Sequence, residues 1–583
     1  MSVLLLLSLA RPVSALDEVA AAVAAALVEP RSEFAPVVIR FQADRAALRR
    51  RHPVANSPQR EQALAEQLEA WLAAVEAIDY DALSDEAALE WHLLRTALAR
   101  EAYRAREERR ERDEARLLIP FLDEGAALAA RRAEMPPPDA RTIAEELDRL
   151  AASADAAAAT LRAAFALPHD DAARPSAARA RLAWRATVAL ASDLRAMVAF
   201  RDGYDPMFTW WTARPAAAAG AALDRLAALL RADGMGVTPE QPDAIVGTPI
   251  GAEALAEELL LEWIPYTAAE LIEIADREFA WCEAELTKAA AEMGFGRWQD
   301  ALEAIKRDHV DPGEQPALVH ELALEAIAFL RERDLVTVPR HAEETWRMAM
   351  MSPERQRITP FFTGGETVTI AFPTASMEHA DKLMSLRGNN RAFARAVVHH
   401  ELIPGHHLQQ WALARHRPHR ALFATPFWLE GWALHWEMLL WDRGFATTPQ
   451  ERIGMLWWRA HRAARIQFSL RFHLGEWSAD RCIEYLVERL AHERANAEGE
   501  ARRSFSGDYP PLYQIAYMVG GLQMRALHHE LVGSGAMSER EFHDEVLRQH
   551  SIPIEALRVA LRGERLPRDA RPSWRFDEQL PPR

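Results

Sequence analysis

Apolar residues recur at three-and-four spacing along most of the chain. Residues 61–76 (EQALAEQLEAWLAAVE) and 83–118 carry them among Ala, Glu and Arg, and both stretches predict amphipathic helices. Proline-bearing breaks at Pro136-Pro137-Pro138, Pro168 to Pro175, Pro206 to Pro215 and Pro239 to Pro249 divide this pattern into helical hairpins. No fixed-period repeat runs through it, which argues against a solenoid. One stretch departs from the helical period. Leu335-Val336-Thr337-Val338 and Thr367 to Phe372 are rich in β-branched residues, and Thr363-Gly364-Gly365 precedes the second run. They predict a small antiparallel sheet, either a hairpin over the core or an edge strand able to pair with an extended peptide. The expected fold class is mainly α, a large helical body with that small sheet. Residues 1–240 form its N-terminal helical region and 241–583 carry the chemistry, within one continuous structural unit.

Composition narrows the function. With 49% hydrophobic and 27% charged residues over 583 positions, the chain reads as globular. Its net charge of -17 offers no basic excess to neutralise phosphates, so nucleic acid is not an expected partner. Clusters such as Arg49-Arg50-Arg51 and Arg109-Arg110 are offset by nearby acids and read as solvated helix faces. Cys282 and Cys482 are the only cysteines, too few for a disulfide framework or a cysteine metal site. No apolar run approaches the ~20 residues that span a bilayer. Val3 to Ala10 is a short apolar run followed by Val13-Ser14-Ala15, which is similar to a cleavage site, but no Lys or Arg precedes it. A cytoplasmic location is therefore expected, with export as the alternative.

The chemistry concentrates at His400-Glu401-Leu402-Ile403-Pro404-Gly405-His406-His407. In an H-E-x-x-H helix, two histidines four apart share one face and bind zinc, with the glutamate as general base. Here the fourth position after His400 is Pro404, which cannot ligate. Asn390 opens a helix on which Phe393, Val397 and His400 share the inward face. Pro404 then removes a backbone donor and clashes with the carbonyl of residue 400, while Gly405 allows a bend. On an unbroken helix residue 406 would lie about 600° round from residue 400. A break at Pro404-Gly405 could return a histidine to the shared face; His406 is favoured and His407 is its rival.

A third ligand is expected downstream. Thr425-Pro426 reads as a helix start and Gly444 as its stop. On that helix Trp428, Trp432 and Trp436 form one stripe, a core face, while Glu430 and Glu437 lie nearly opposite. Glu430 is the expected third ligand and Glu437 an acceptor that orients a ligating imidazole.

At these residues the chain resembles a known family. His400 to Gln409 (H-E-x-x-P-G-H-H-L-Q) and Glu430 to Leu434 (E-G-W-A-L) are similar to the family catalogued as domain of unknown function 885. That family in turn resembles gluzincin metallopeptidases of the thimet-oligopeptidase and thermostable-carboxypeptidase type. Weaker likenesses are Tyr204-Asp205-Pro206, Tyr266 to Leu271, Tyr517-Met518-Val519-Gly520 and Phe542-His543-Asp544. The resemblance implies a helical body around a deep cleft with a zinc-dependent hydrolase at its floor. It makes Tyr517 the candidate oxyanion donor, with His473 as a second candidate. Ser469, Arg471 and His435 depart from the acidic residue, glycine and tyrosine expected there.

The function expected is therefore a zinc metallopeptidase acting on short peptides or chain ends. Its metal is held by His400, His406 and Glu430, Glu401 is its general base, and Tyr517 and His473 are its candidate donors. Two alternatives stand beside it: hydrolysis of a small non-peptide amide or ester at the same site, and a non-catalytic helical binding protein that keeps the metal for structure. Glu401 argues against the last, since a structural zinc site needs no base. No serine-nucleophile elbow is present.

Overall fold

A computed structural model describes residues 32–238, 244–356, 361–507 and 509–581. The Val3 to Ala15 segment lies outside the described residues. The architecture is mainly helical, and several of its helices start where the sequence supplies a capping side chain. Ser57 caps Pro58–Glu76 and Ser84 caps Asp85–Arg116, each accepting from a first-turn N–H. Pro206 to Pro215 is not a break. Asp205 caps Pro206–Leu229, Pro206 occupies the first turn, where its missing donor costs nothing, and Pro215 is buried inside the helix.

Two hydrophobic cores organise these helices. The smaller joins Val54 to residues between Ala115 and Leu230 and is dominated by Ala and Leu. The larger gathers residues from Phe34 to Leu98 with residues from Leu255 to Phe576. Helix Asp85–Arg116 links them, burying Ala87 to Leu98 in the larger core and Ala115 in the smaller.

The small sheet differs from expectation. Its strands, β1 (Arg347–Met350) and β2 (Thr367–Ile370), run parallel, with Arg347 opposite Thr367 and Met350 opposite Ile370. The one antiparallel contact among the described residues is an isolated bridge, Thr363 to Thr369. Leu335 to Val338 is not a strand. Leu335 and Val336 are buried, but the Thr337 N–H and hydroxyl both bind the Asp544 carboxylate, so they cannot enter a ladder.

Six helices of the larger core position the chemistry: the histidine helix Arg391–Glu401, the short His406–Leu413 helix, the tryptophan helix Pro426–Asp442, the arginine helix Pro449–His473, Arg494–Phe505, and the tyrosine helix Tyr513–Leu531. The tryptophan and tyrosine helices cross at Gly431 and Gly520. A Cβ on Gly520 would collide with the Phe427 carbonyl, and one on Gly431 with the Gly520 backbone. This close crossing brings Glu430 beside Tyr513 and Tyr517.

Candidate metal centre

The histidine helix begins where Asn390 accepts from the Phe393 N–H at 3.0 Å and ends at Glu401. Leu402 to Gly405 form the break, and a second helix starts at His406. The Gly405 N–H still bonds the His399 carbonyl at 3.0 Å, so the chain folds tightly back on the helix it leaves. Gly405 is needed there for closeness, because a Cβ would collide with the His400 carbonyl. Trp432, in the middle of the tryptophan stripe, donates its indole N–H to the Pro404 carbonyl at 2.8 Å. The stripe therefore anchors the break as well as filling the core.

Three side chains converge. Glu430 Oε2 lies 3.5 Å from His400 Nε2 and 3.3 Å from His406 Nε2. Tetrahedral zinc with bonds of about 2.0–2.2 Å would hold its ligand atoms roughly 3.4 Å apart, so the spacing fits the ion. Glu430 Oε2 is buried without a hydrogen-bond partner among the described residues, whereas Oε1 accepts from the Tyr513 hydroxyl. Each imidazole is oriented from behind. His400 Nδ1 donates to Glu437 Oε1 at 2.7 Å, and His406 Nδ1 donates to Gln409 Oε1 at 3.1 Å. Gln409 is itself fixed by donating to the Leu429 carbonyl at 3.0 Å. Both Nε2 atoms thus face inward, and a neutral imidazole held this way presents the lone pair a metal requires.

His407 stands apart. Its two ring nitrogens face the Gly365 carbonyl at 3.1 Å and the Ala342 carbonyl at 2.8 Å, which ties the short helix to the segments that precede β2 and β1. The break thus brings His406 to the site and turns His407 away.

Electrostatics follow the geometry. At His400 burial opposes protonation, but the Glu430 and Glu437 carboxylates outweigh it and raise the pKa. At His406 burial is again outweighed, chiefly by Glu430, and the pKa rises to about 9. Glu430 is held well below the usual carboxylate range, its burial overcome by His406 and His400. Burial pushes Glu401 upward, which suits a group that must take and return a proton.

A cavity of about 250 Å³ opens on this cluster. His400, Glu401, His406 and Glu430 lie on its wall, with Thr363 and Gly364 beside them. Gly364 packs so closely on Glu401 that a Cβ would collide with its carboxylate. Tyr517 also lines the cavity; its ring lies nearly parallel to His400, centroids 6.1 Å apart. Burial, with Glu430 adding to it, raises the Tyr517 hydroxyl to about 12, so it stays a donor.

His473 is not brought to the cavity. It lies eight residues beyond Arg465, about 12 Å further along the helix axis. There it packs on Phe472 and Phe505, with burial lowering its pKa to about 4. Sequence reasoning missed Gln409, Tyr513, Arg462, Arg465 and Arg503. The i, i+4 pairing of Tyr513 with Tyr517 and the i, i+3 pairing of Arg462 with Arg465 were the available signals. Of the departures, Ser469 donates to the Pro511 carbonyl at 3.4 Å, Arg471 pairs with Glu476, and His435 meets His543 ring to ring, Nε2 to Nε2 at 3.0 Å. His528, Glu539 and His543 form a second group with metal-like spacing, but Glu539 is already paired with Arg443.

Fold and site together define a mainly helical protein whose cavity carries a two-histidine, one-carboxylate centre with an adjacent glutamate. Residues 46–561 match the family described as "Bacterial protein of unknown function (DUF885)", and the chain belongs to that family. No curated protein matches it. Among solved structures it is similar to a "putative lipoprotein of unknown function" from Shewanella oneidensis, at 17% identity and a TM-score of 0.67 over 91% of this chain and 100% of that one. A "putative lipoprotein" from Colwellia psychrerythraea matches at 16% identity and a TM-score of 0.49, over 73% of this chain and 75% of that one. The first likeness extends the fold to a second protein of near-equal span.

Proposed function

We propose that this protein is a zinc-dependent hydrolase that cleaves peptide bonds in short peptides or at chain ends, related in mechanism to the gluzincin peptidases it resembles. The observation that carries this reading is the convergence of His400 Nε2, His406 Nε2 and Glu430 Oε2 at 3.3 to 3.5 Å beside the buried Glu401. When bound, zinc supplies Lewis acidity, polarising the carbonyl under attack and making water acidic enough to react near neutral pH. Glu401 takes the proton from the attacking water and delivers it to the leaving nitrogen. The Tyr517 hydroxyl donates to the oxygen on which negative charge develops. Gln409 and Glu437 hold the imidazoles while this happens, and Tyr513 holds Glu430.

Metal analysis of the purified protein should find about one zinc per chain, as a three-ligand catalytic site requires. Glu401→Gln should keep that zinc and lose turnover of a mixed-peptide library by about 10²–10⁴-fold. Zinc-free protein after gentle purification, or full turnover by Glu401→Gln, would sink the reading. The export alternative gains support from the Val3 to Ala10 run and from the lipoprotein name that the Shewanella protein carries. Fractionation of cells expressing the protein tests it, recovery in the cytoplasmic fraction alone being the contrary result.

A further inference from the structure

Beyond the metal ligands, the cavity has a wall of arginines that the proposed chemistry leaves without a task. Trp458, Arg462 and Arg465 follow at four and three residues on the arginine helix, so they share a face, and Arg503 reaches the same space from Arg494–Phe505. All three arginines are buried and line the cavity with His400 and Glu401. One ring connects the two groups. The Cζ atoms of Arg462 and Arg465 lie 4.8 and 4.4 Å from the Tyr517 centroid, and the same ring lies alongside His400. Arg503 Nη2 is 3.5 Å from the Tyr517 hydroxyl.

Their compensation is incomplete. Glu500 binds Arg465 through two bonds of 2.9 Å and Arg503 through one of 3.4 Å. Arg462 reaches Glu437 only at 3.4 Å, and that same oxygen takes the shorter bond from His400. Three guanidinium groups thus share two carboxylates, one of them already committed to the metal centre. Arg465 Nη1, Arg462 Nε and Arg503 Nε are buried with no hydrogen-bond partner among the described residues. Buried, under-paired guanidinium is costly unless something else supplies the anion. Its planar fork matches a carboxylate in particular.

Resting on the zinc-hydrolase reading, we propose that this wall receives the C-terminal carboxylate of the substrate, so that the enzyme removes residues from the C-terminal end of short peptides. A peptide running on past the scissile bond would press neutral amides against the guanidinium groups and leave them unpaired. A terminal carboxylate would neutralise them beside the carbonyl under attack, because the Tyr517 ring packs on both groups and Glu437 Oε1 bonds both Arg462 and His400.

The test uses the full chain with zinc bound. Calorimetry on Glu401→Gln compares one short peptide as its free acid, as its amide, and as amides carrying a glutamate or a phosphoserine near the end. The free acid should bind at least tenfold more tightly than all three amides, and Arg465→Lys should shrink that preference. Equal binding of acid and plain amide overturns the proposal. Equal binding of acid and either acidic amide overturns it too, by assigning the wall to another anion. Should Arg465→Lys fail to fold, the comparison on Glu401→Gln still decides. Digestion by the unsubstituted protein separates this idea from the one beneath it. Cleavage of amidated peptides at internal bonds as fast as free acids overturns the carboxylate subsite alone. No cleavage of any peptide by zinc-loaded protein overturns the hydrolase reading, while the binding preference still judges the subsite.

Discussion

At the residue scale, the centre depends on what each imidazole does with its other nitrogen. His400 Nε2 faces Glu430 because Nδ1 is held by Glu437 at 2.7 Å, and His406 Nε2 does so because Nδ1 is held by Gln409 at 3.1 Å. Removing such a partner leaves the ligand in place but free to rotate or change tautomer. Glu437→Gln and Gln409→Ala should each lower zinc affinity by about 10–100-fold, measured by competition with a chromogenic chelator. His407→Ala should leave affinity within about twofold on the same argument, because neither of its nitrogens faces the centre. Loss of metal from His407→Ala with retention in His406→Ala would reverse the assignment. Part of this geometry was legible in the chain: the H-E-x-x pattern marked His400, and the face opposite the tryptophan stripe marked Glu430 and Glu437. The choice between His406 and His407 was not, since it turns on the path of four residues between two helices. Gln409 and Tyr513 escaped because neither residue type signals metal chemistry until a ligand is seen beside it. His473 is set apart by its position on the arginine helix, about two turns beyond Arg465, which its residue type alone does not reveal.

At the element scale, the break after Glu401 is a built feature with three supports. Pro404 ends the helix, Gly405 lets the chain fold back against the His400 carbonyl, and Trp432 satisfies the Pro404 carbonyl at 2.8 Å. The first two supports were readable in the sequence, and the third was hidden in a stripe that reads equally well as plain core. Gly405→Ala has no room for its methyl group and must displace either the break or the histidine helix. It should cost at least about 1–3 kcal/mol in urea unfolding, the usual cost of overpacking, and lose zinc at the same time. Trp432→Phe keeps most of the packing but orphans a buried carbonyl, worth about 1–3 kcal/mol. If Gly405→Ala bound zinc normally, the close approach would have no role in placing His406. The sheet shows a limit of the same reading. β-branched content marked β2 correctly, but Leu335 to Val338 has the same composition and is a loop, because Asp544 takes the Thr337 donors. That partner is more than two hundred residues away and leaves no local trace.

At the scale of the whole molecule, the two cores differ in what they contribute. The smaller core is built almost wholly from one continuous stretch, residues 115 to 230, and holds none of the converging ligands. The helices of the larger carry His400, His406 and Glu430, together with a dense set of other buried charges: Glu401, Glu437, Arg462, Arg465 and Glu500. Without an ion, the ligand imidazoles and carboxylates must balance one another within the low-dielectric interior. A bound divalent cation adds its binding free energy to the state that organises them, and only to the elements that hold it. Chelation should therefore speed amide hydrogen exchange in Arg391–Glu401, His406–Leu413, Pro426–Asp442 and Tyr513–Leu531. It should leave Ala140–Phe165 and Pro206–Leu229 at their original rates. Exchange that rises equally in both sets would mean that the cores open as one unit. Exchange unchanged by chelation in the first set would mean that no stabilising ion sits between His400, His406 and Glu430.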